Sequence, residues 1–147
     1  MIDSKICSKY SEMDQDEWVL KTLNNKKDGV FVDIGACTPF LWSNTALLEL
    51  KFGWTGLGID LHPHDNQYNP ISEEQGLSVD WTERPNTKII EADATKLNYL
   101  ELFEENKLPE VIDYLSIDLT PPSTTIEVFR MLPHHKYKFR VITFEHD

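Results

Sequence analysis

Five short apolar runs recur along the chain. Four of them end in an acidic residue, and the first contains Asp33 and ends in Gly35. They cover residues 30–35, 55–60, 88–93, 112–118 and 139–145. Short continuous apolar runs with β-branched residues are typical of strands that are buried on both faces. Helical spacing of apolar residues appears between several of them, at 43–53, 96–106 and 123–131. Alternating strands and helices predict an α/β fold, with a mainly parallel sheet and helices on both faces.

The remaining segments are a predicted first helix and a polar stretch at 61–86, and the length of the chain is that of one domain. A first helix is predicted to open at Ser11, which can cap it, and to end before Gly29. Residues 61–86 contain three prolines and many polar residues, which predicts a segment that is mostly loop, with one helical turn. Because no repeat or linker interrupts the 147 residues, a single domain over 1–147 is expected.

Charge and composition exclude several classes of function. The chain has 25 acidic and 14 basic residues, a net charge of −11, which argues against binding to nucleic acid or to an anionic membrane. No apolar run approaches the ~18 residues of a spanning helix, and the first residues lack the apolar core of a secretory signal. Two cysteines, Cys7 and Cys37, form no disulfide framework, so a cytoplasmic location is expected.

Acidic residues mark the predicted end of each strand, and a glycine follows the first of them. Because parallel strands share one carboxyl edge, these acids should gather around a single cleft. Gly35 permits a tight turn and close approach to a ligand. An acid at the end of the second strand can accept hydrogen bonds from ribose hydroxyls, and the next acid could meet an adenine amino group. The five acids are Asp33, Asp60, Asp93, Asp118 and Glu145.

These motifs resemble the S-adenosylmethionine-dependent methyltransferases of the Rossmann-like class, and more closely the FkbM methyltransferase family. The resemblance to the class lies in Asp33-Ile34-Gly35-Ala36, Asp60 and Ala92-Asp93-Ala94. The similarity to FkbM proteins adds Gln15-Asp16, Pro39, Ser43-Asn44-Thr45, Leu48-Glu49, Gly53-Trp54-Thr55-Gly56, Ile112-Asp113-Tyr114-Leu115-Ser116-Ile117-Asp118 and Val141-Ile142-Thr143-Phe144-Glu145-His146. It extends over nearly the whole chain.

The resemblance implies a three-layer fold of strand order 3-2-1-4-5 and the cofactor S-adenosylmethionine. It implies methyl transfer to the hydroxyl of a small-molecule, sugar or lipid acceptor. Asp33, Gly35 and Ala36 would line the methionine part, Asp60 the ribose, and Asp93 with Ala94 the adenine. Asp118 would lie near the methionine end or the substrate.

The base that deprotonates the hydroxyl has three candidates: Asp118, Glu145 and His146. Alternatively, Asp118 and Glu145 could hold a divalent metal that lowers the pKa of the hydroxyl, although no ligand set indicates one. A metal pair at His62 and His64 is a weaker alternative, since a proline-stiffened loop over the cofactor accounts for the same residues. Cys37 lies in the cofactor loop and is expected to pack there rather than act as a nucleophile.

Two departures from the family pattern limit these expectations. The family often has Asp-x-Glu-Gly after the fourth strand, whereas this chain has Asp118-Leu119-Thr120-Pro121-Pro122-Ser123. That loop superficially resembles the Asp-Pro-Pro-Tyr motif of adenine amino-methyltransferases, but Ser123 stands where the stacking aromatic residue is needed. The family fold also has a sixth and a seventh strand, which would lie beyond residue 147. The strand at 139–145 is therefore expected to be an exposed edge that favours self-association.

Two other functions remain as alternatives. A truncated fold could bind the cofactor without transferring a methyl group. A nicotinamide-dependent oxidoreductase would also use an acid such as Asp60, but it expects Gly-x-Gly-x-x-Gly after the first strand. This chain has one glycine there, with Pro39 and Phe40 where the last glycine is expected, so that alternative is disfavoured.

Overall fold

The computed structural model describes residues 10–145, which form five strands and five α-helices. In chain order they are α1 (Gln15–Thr22), β1 (Val30–Ile34), α2 (Ala46–Phe52), β2 (Thr55–Asp60), α3 (Asn69–Glu74), β3 (Thr87–Glu91), α4 (Tyr99–Glu105), β4 (Val111–Ile117), α5 (Pro122–Met131) and β5 (Lys138–Phe144). Short 3-10 turns lie at Asn66–Tyr68, Trp81–Glu83 and Ala94–Lys96. No helix within the described range is long and apolar enough to cross a bilayer.

The five strands form one parallel sheet in the order β3-β2-β1-β4-β5. This confirms the α/β fold and the Rossmann-like strand order 3-2-1-4-5 expected from the sequence. β1 is central, and its Asp33 lies opposite Gly58 of β2 and Ser116 of β4. The chain winds outward from β1 in both directions, so the order reverses between β1 and β4. Ligands of open α/β sheets bind at the carboxyl edge at such a reversal.

Both faces of the sheet are covered by helices. One face packs Phe31 and Tyr114 against Leu20 of α1 and Leu48 of α2. The other face is larger and packs apolar residues of β1, β2 and β4 against α4 and α5, including Val32, Ile59, Leu115, Phe103 and Val128. Side chains alternate between these two cores along β1, which explains why its sequence is apolar apart from Asp33.

Three helices begin later than the sequence predicts, and the last of them, α4, begins at Tyr99 rather than at residue 96. The first was expected to open at Ser11, but Asp14 has a left-handed φ of 55° and α1 begins at Gln15. The Ser11 hydroxyl nevertheless accepts a hydrogen bond from the backbone N–H of Gln15 at 3.0 Å. In the same way α2 begins at Ala46 rather than Ser43, whose hydroxyl accepts from the Ala46 N–H at 3.1 Å. Both serines therefore supply a hydrogen bond to a helix start from outside the helix.

The segment 61–86 is more ordered than expected. It contains α3 and two 3-10 turns, and the indole N–H of Trp81 donates to the Pro63 carbonyl at 3.0 Å. One helical turn was expected in this segment, and α3 with the two 3-10 turns makes it more helical than that, because mostly exposed polar residues give no apolar periodicity to detect.

Candidate functional site

A cavity of about 360 Å³ opens at the carboxyl edge of the sheet, where the strand order reverses. Four of the five predicted acids line it: Asp33, Asp60, Asp118 and Glu145. Gly35 and Ala36 line it as well. The sequence argument that parallel strands bring their terminal acids together is therefore correct for these four residues.

Asp33 is a buried carboxyl in the wall of this cavity, with 4% of its surface exposed. Its Oδ2 accepts a hydrogen bond from the Thr45 hydroxyl at 3.0 Å. Burial raises the pKa of Asp33 from 3.8 to about 6, opposed by the Thr45 hydrogen bond and by the charge of Arg84. The carboxyl is therefore ionised at neutral pH and becomes protonated in mild acid.

Gly35 is held close to the end of β4. It has a φ of +85°, and a Cβ built on it would lie 1.9 Å from the carbonyl oxygen of Asp118. The N–H groups of Gly35 and Ala36 both donate to the Ile59 carbonyl, at 2.8 and 3.1 Å. The requirement for glycine thus comes from the protein's own backbone, and these two N–H groups are already engaged with β2.

Asp60 presents its carboxylate at the end of β2, fixed by two backbone groups. Its Oδ2 accepts the Cys37 N–H at 2.9 Å, and its Oδ1 accepts the His62 N–H at 2.8 Å. Each carboxylate oxygen can accept a second hydrogen bond. The geometry therefore leaves one acceptor position on each oxygen for a ligand with two neighbouring hydroxyls.

Asp93 does not join the other four acids, which corrects the expectation of five around one cleft. β3 ends at Glu91, two residues before Asp93, rather than at residue 93 as the sequence predicted. The carboxylate turns back to cap the next 3-10 turn, accepting the Thr95 N–H at 2.9 Å and the Thr95 hydroxyl at 2.7 Å. These bonds hold the pKa of Asp93 below 3.8. With Ala94 it lines a smaller adjoining hollow of about 130 Å³, which shares Asp60 with the main cavity.

The two carboxylates after β4 and β5 lie on the opposite side of the cavity from β2. The Asp118 N–H donates to Ile34 and the Glu145 N–H to Ile117, each at 3.0 Å, so both residues continue the sheet ladder by one step. Asp118 is exposed and Glu145 is partly buried. The third candidate base, His146, lies outside the described residues.

Within residues 10–145 the structure contains no cluster of side chains that could bind a metal ion. No group of three or more His, Cys, Asp or Glu side chains there is arranged to hold an ion. His62 lines the main cavity, whereas His64 lines a separate hollow beside Asp80, so the two histidines are divided between sites.

Cys37 has the properties of a packing residue. Burial chiefly, and then the charges of Asp60, Asp118, Asp33 and Asp65, raise the pKa of its thiol to about 12. The thiol therefore stays protonated at neutral pH and is a poor nucleophile.

A buried ion pair behind the cavity was not predicted. Arg84 is fully buried, and its Nε donates to the Glu49 carboxylate of α2. One guanidinium nitrogen donates to the Pro39 carbonyl at 2.5 Å, and the other to the Thr45 hydroxyl at 3.0 Å. This arrangement ties the end of the segment 61–86 to α2 and to the loop after β1. The one sequence signal is an acid among leucines in α2, and that signal does not identify its partner.

An aromatic pair and a polar network lie beside the acids, and neither was predicted from the sequence. Trp42 and Tyr68 both line the cavity, with ring centroids 5.4 Å apart at 74°. The Asn44 amide donates to the Ser116 hydroxyl at 3.2 Å, and the Ser11 hydroxyl lies 2.9 Å from the Asn44 Oδ1. Asn44 belongs to the Ser43-Asn44-Thr45 motif of the family resemblance, but the motif alone does not indicate these contacts.

Comparisons with known proteins add little to this geometry. No family model matches the chain, and no curated protein matches it. One similar solved structure is the crystal structure of a protein from Galdieria sulphuraria with the provisional name sarcosine dimethylglycine methyltransferase. The identity is 18% and the TM-score 0.45, and the match covers 81% of this chain but 40% of the other. The chain thus spans about two fifths of that protein's length, and the assignment of a reaction has to come from the cleft itself.

Proposed function

We propose that the chain is an S-adenosylmethionine-dependent methyltransferase of the FkbM type, which methylates a hydroxyl of a small molecule, sugar or lipid. The observation that carries this proposal is the meeting of Asp33, Gly35, Asp60 and Asp118 in one cavity at the reversal of strand order. Ligand binding at this edge is the general behaviour of such sheets. We further propose a reducing, cytoplasmic setting, which the free Cys37 thiol supports.

The residues of the cleft fit this cofactor in size, polarity and charge. A volume of about 360 Å³ lies within the range of about 300–1,000 Å³ typical of small-molecule sites. The free acceptor positions on Asp60 suit the two ribose hydroxyls, which can each donate one hydrogen bond. The surrounding carboxylates complement the positive charges of the sulfonium and the methionine ammonium.

The remaining contacts follow from position along the cleft. Asp33, Gly35 and Ala36 would line the methionine part of the cofactor. The hollow beside Asp60 that is lined by Asp93 and Ala94 would take the adenine. The second oxygen of Asp93 lies 3.7 Å from the Lys96 ammonium, and we propose it as the acceptor for the adenine amino group.

The chemistry requires in-line alignment and a proton acceptor. When bound, S-adenosylmethionine supplies a methyl group whose carbon–sulfur bond breaks, with the electron pair staying on sulfur, as the acceptor oxygen bonds to carbon. The walls of the cavity would align the acceptor hydroxyl with the methyl group. Asp118 and Glu145 line the same cavity, and we propose that one of them takes the proton that the hydroxyl releases. His146, which follows Glu145 in sequence, stays a proposed alternative base.

The first test is isothermal titration of the folded chain with S-adenosylmethionine and with its demethylated product, S-adenosylhomocysteine. We expect micromolar affinity for both. Asp60→Ala should weaken binding roughly tenfold or more, because hydrogen bonds to a charged group are lost. Glu91→Ala is the matched control, since Glu91 is an exposed acid at the end of β3 and lines neither hollow.

Two results would redirect the proposal. No binding to a folded sample would contradict the cofactor assignment. Binding without transfer of a labelled methyl group to any hydroxyl in a broad acceptor panel would instead support the alternative of a cofactor-binding module that performs no catalysis.

A further inference from the structure

Thr45 lies between the buried cation of the protein and the buried carboxylate of the cleft. Its hydroxyl is 3.0 Å from the Arg84 Nη2 and 3.0 Å from the Asp33 Oδ2. All three residues are at most 4% exposed. Water is therefore excluded from this contact, and the three groups interact at low dielectric, where hydrogen bonds are strong.

The direction of these two hydrogen bonds is fixed by chemistry. A guanidinium has donors and no acceptor, so Arg84 must donate to the Thr45 oxygen. The single hydroxyl hydrogen of Thr45 is then free to point at Asp33, which accepts it. The hydrogen bonds therefore run from Arg84 to Thr45 and from Thr45 to Asp33. They stabilise Asp33 best when its carboxyl is ionised.

A second series of hydrogen bonds from Arg84 passes through Thr87 and ends at a different carboxylate, that of Glu49. The same Arg84 nitrogen donates to the Thr87 hydroxyl at 3.0 Å, and Thr87 donates to the Glu49 Oε2 at 2.6 Å. Thr87 is buried like Thr45 and contacts the same cation. It differs in that its carboxylate partner belongs to α2 rather than to the cavity wall, which makes it a matched control.

We propose that Thr45 is a positioning residue of the cofactor site, which carries the influence of Arg84 to Asp33 and keeps that carboxylate ionised and oriented toward a ligand ammonium. This inference rests on the proposed function, because it assigns Asp33 to the methionine ammonium. It predicts that ligand affinity depends on the ionisation of Asp33 and that Thr45 sets the pH at which affinity is lost.

The sign of the pH effect follows from the groups around Asp33. Burial and the neighbouring Asp118 raise the pKa of Asp33, whereas Thr45, Arg84 and a hydrogen bond from Ser116 lower it, with a result of about 6. The other ionisable groups nearby are Glu49, which pairs with Arg84, and two groups whose raised pKa keeps them neutral, Cys37 and Tyr114. Removing the Thr45 hydroxyl therefore raises the pKa of Asp33, and affinity for a cationic ligand should be lost at a higher pH.

The test is titration of S-adenosylhomocysteine between pH 5 and 8 into the full chain and into Thr45→Val, Thr45→Ser and Thr87→Val. For Thr45→Val we expect the midpoint of the affinity profile to rise by roughly one pH unit or more. Thr45→Ser retains the hydroxyl and should restore the original midpoint, and Thr87→Val should leave it unchanged. Asp33→Asn should flatten the profile.

A profile of Thr45→Val that overlays the original, or an equal shift in Thr87→Val, would overturn the inference while leaving the proposed function intact. Absence of binding by every folded variant would overturn the proposed function. A ligand-free measurement keeps the two apart: the carboxyl carbon shift of Asp33, followed by NMR against pH, should have a higher midpoint in Thr45→Val than in Thr45→Ser. Identical midpoints in that measurement would overturn the role of Thr45 whatever the ligand does.

Discussion

Gly35 stands where a side chain would collide with the backbone of a neighbouring strand. Its φ of +85° is strained for other residues, and an added Cβ would lie 1.9 Å from the Asp118 carbonyl oxygen. Gly35→Ala should therefore lower the free energy of unfolding by about 3 kcal/mol or more, which combines backbone strain with overpacking. Urea denaturation followed by circular dichroism measures this loss.

Gly76 offers a control that separates the two causes. It also has a positive φ, of +68°, but a Cβ there would meet no atom within 4 Å. Gly76→Ala should therefore cost only the strain, about 1–2 kcal/mol. Equal losses for the two variants would contradict the close approach of Gly35 to Asp118.

A residue of the cleft could be predicted only where its position at the end of a strand is enough to place it there. Asp33, Asp60 and Asp118 follow from the rule that parallel strands share a carboxyl edge. Arg84 and Glu49 could not be predicted, because they are 35 residues apart and meet only once the segment 61–86 has folded back over α2. Asp93 was misplaced because local capping of the next turn competes with a position in the cleft.

Among the elements, the strands were predicted within two residues, whereas the position of helix α3 was not predicted. The central strands β1 and β4 are largely apolar because most of their residues are buried, and the observed bounds of all five strands lie within two residues of the prediction. Helix α3 was missed because a six-residue helix with Ser72 as its buried residue carries no apolar stripe. Propensity and capping alone are too weak to decide such a segment.

Helix α1 contains a buried acid that should make stability fall as pH rises. Asp16 is fully buried, its Oδ2 has no hydrogen-bond partner, and burial raises its pKa from 3.8 to about 7. Between about pH 4 and pH 7 the folded chain therefore binds a proton that the unfolded chain has released. The free energy of unfolding consequently decreases across this window, because the unfolded state binds fewer protons.

Asp16→Asn removes the charge that must otherwise be buried above pH 7. We expect this variant to be more stable than the original chain at pH 8, on the order of 1–3 kcal/mol, and to show a weaker pH slope between 4 and 7. Denaturant titrations at several pH values measure both effects. Glu101→Gln, an exposed acid in the first turn of α4, should change neither, and an unaltered slope in Asp16→Asn would contradict the assignment.

The net charge of the molecule opposes self-association through the apolar part of its outer strand, β5. β5 is an outer strand of the sheet formed by residues 10–145, so one side of its backbone has no strand partner in that range. Its first half carries Lys138 and Arg140, charged residues that discourage edge pairing. Its second half is apolar, and Ile142 is 36% exposed there. The net charge of −11 keeps copies apart at long range, and this repulsion is screened by salt.

The self-association expected from the strand at 139–145 should therefore depend on salt. We expect the mass measured by light scattering to rise with protein concentration. The rise should be steeper at high than at low ionic strength, because screening removes the repulsion between copies while apolar contact at Ile142 remains. Ile142→Lys should suppress the rise by placing a charge on the edge. Leu50→Lys is the control, because Leu50 is 41% exposed on α2, away from the sheet edge. A monomeric mass at every concentration and salt level would contradict pairing through β5, and equal suppression by both variants would assign the association to general apolar exposure instead.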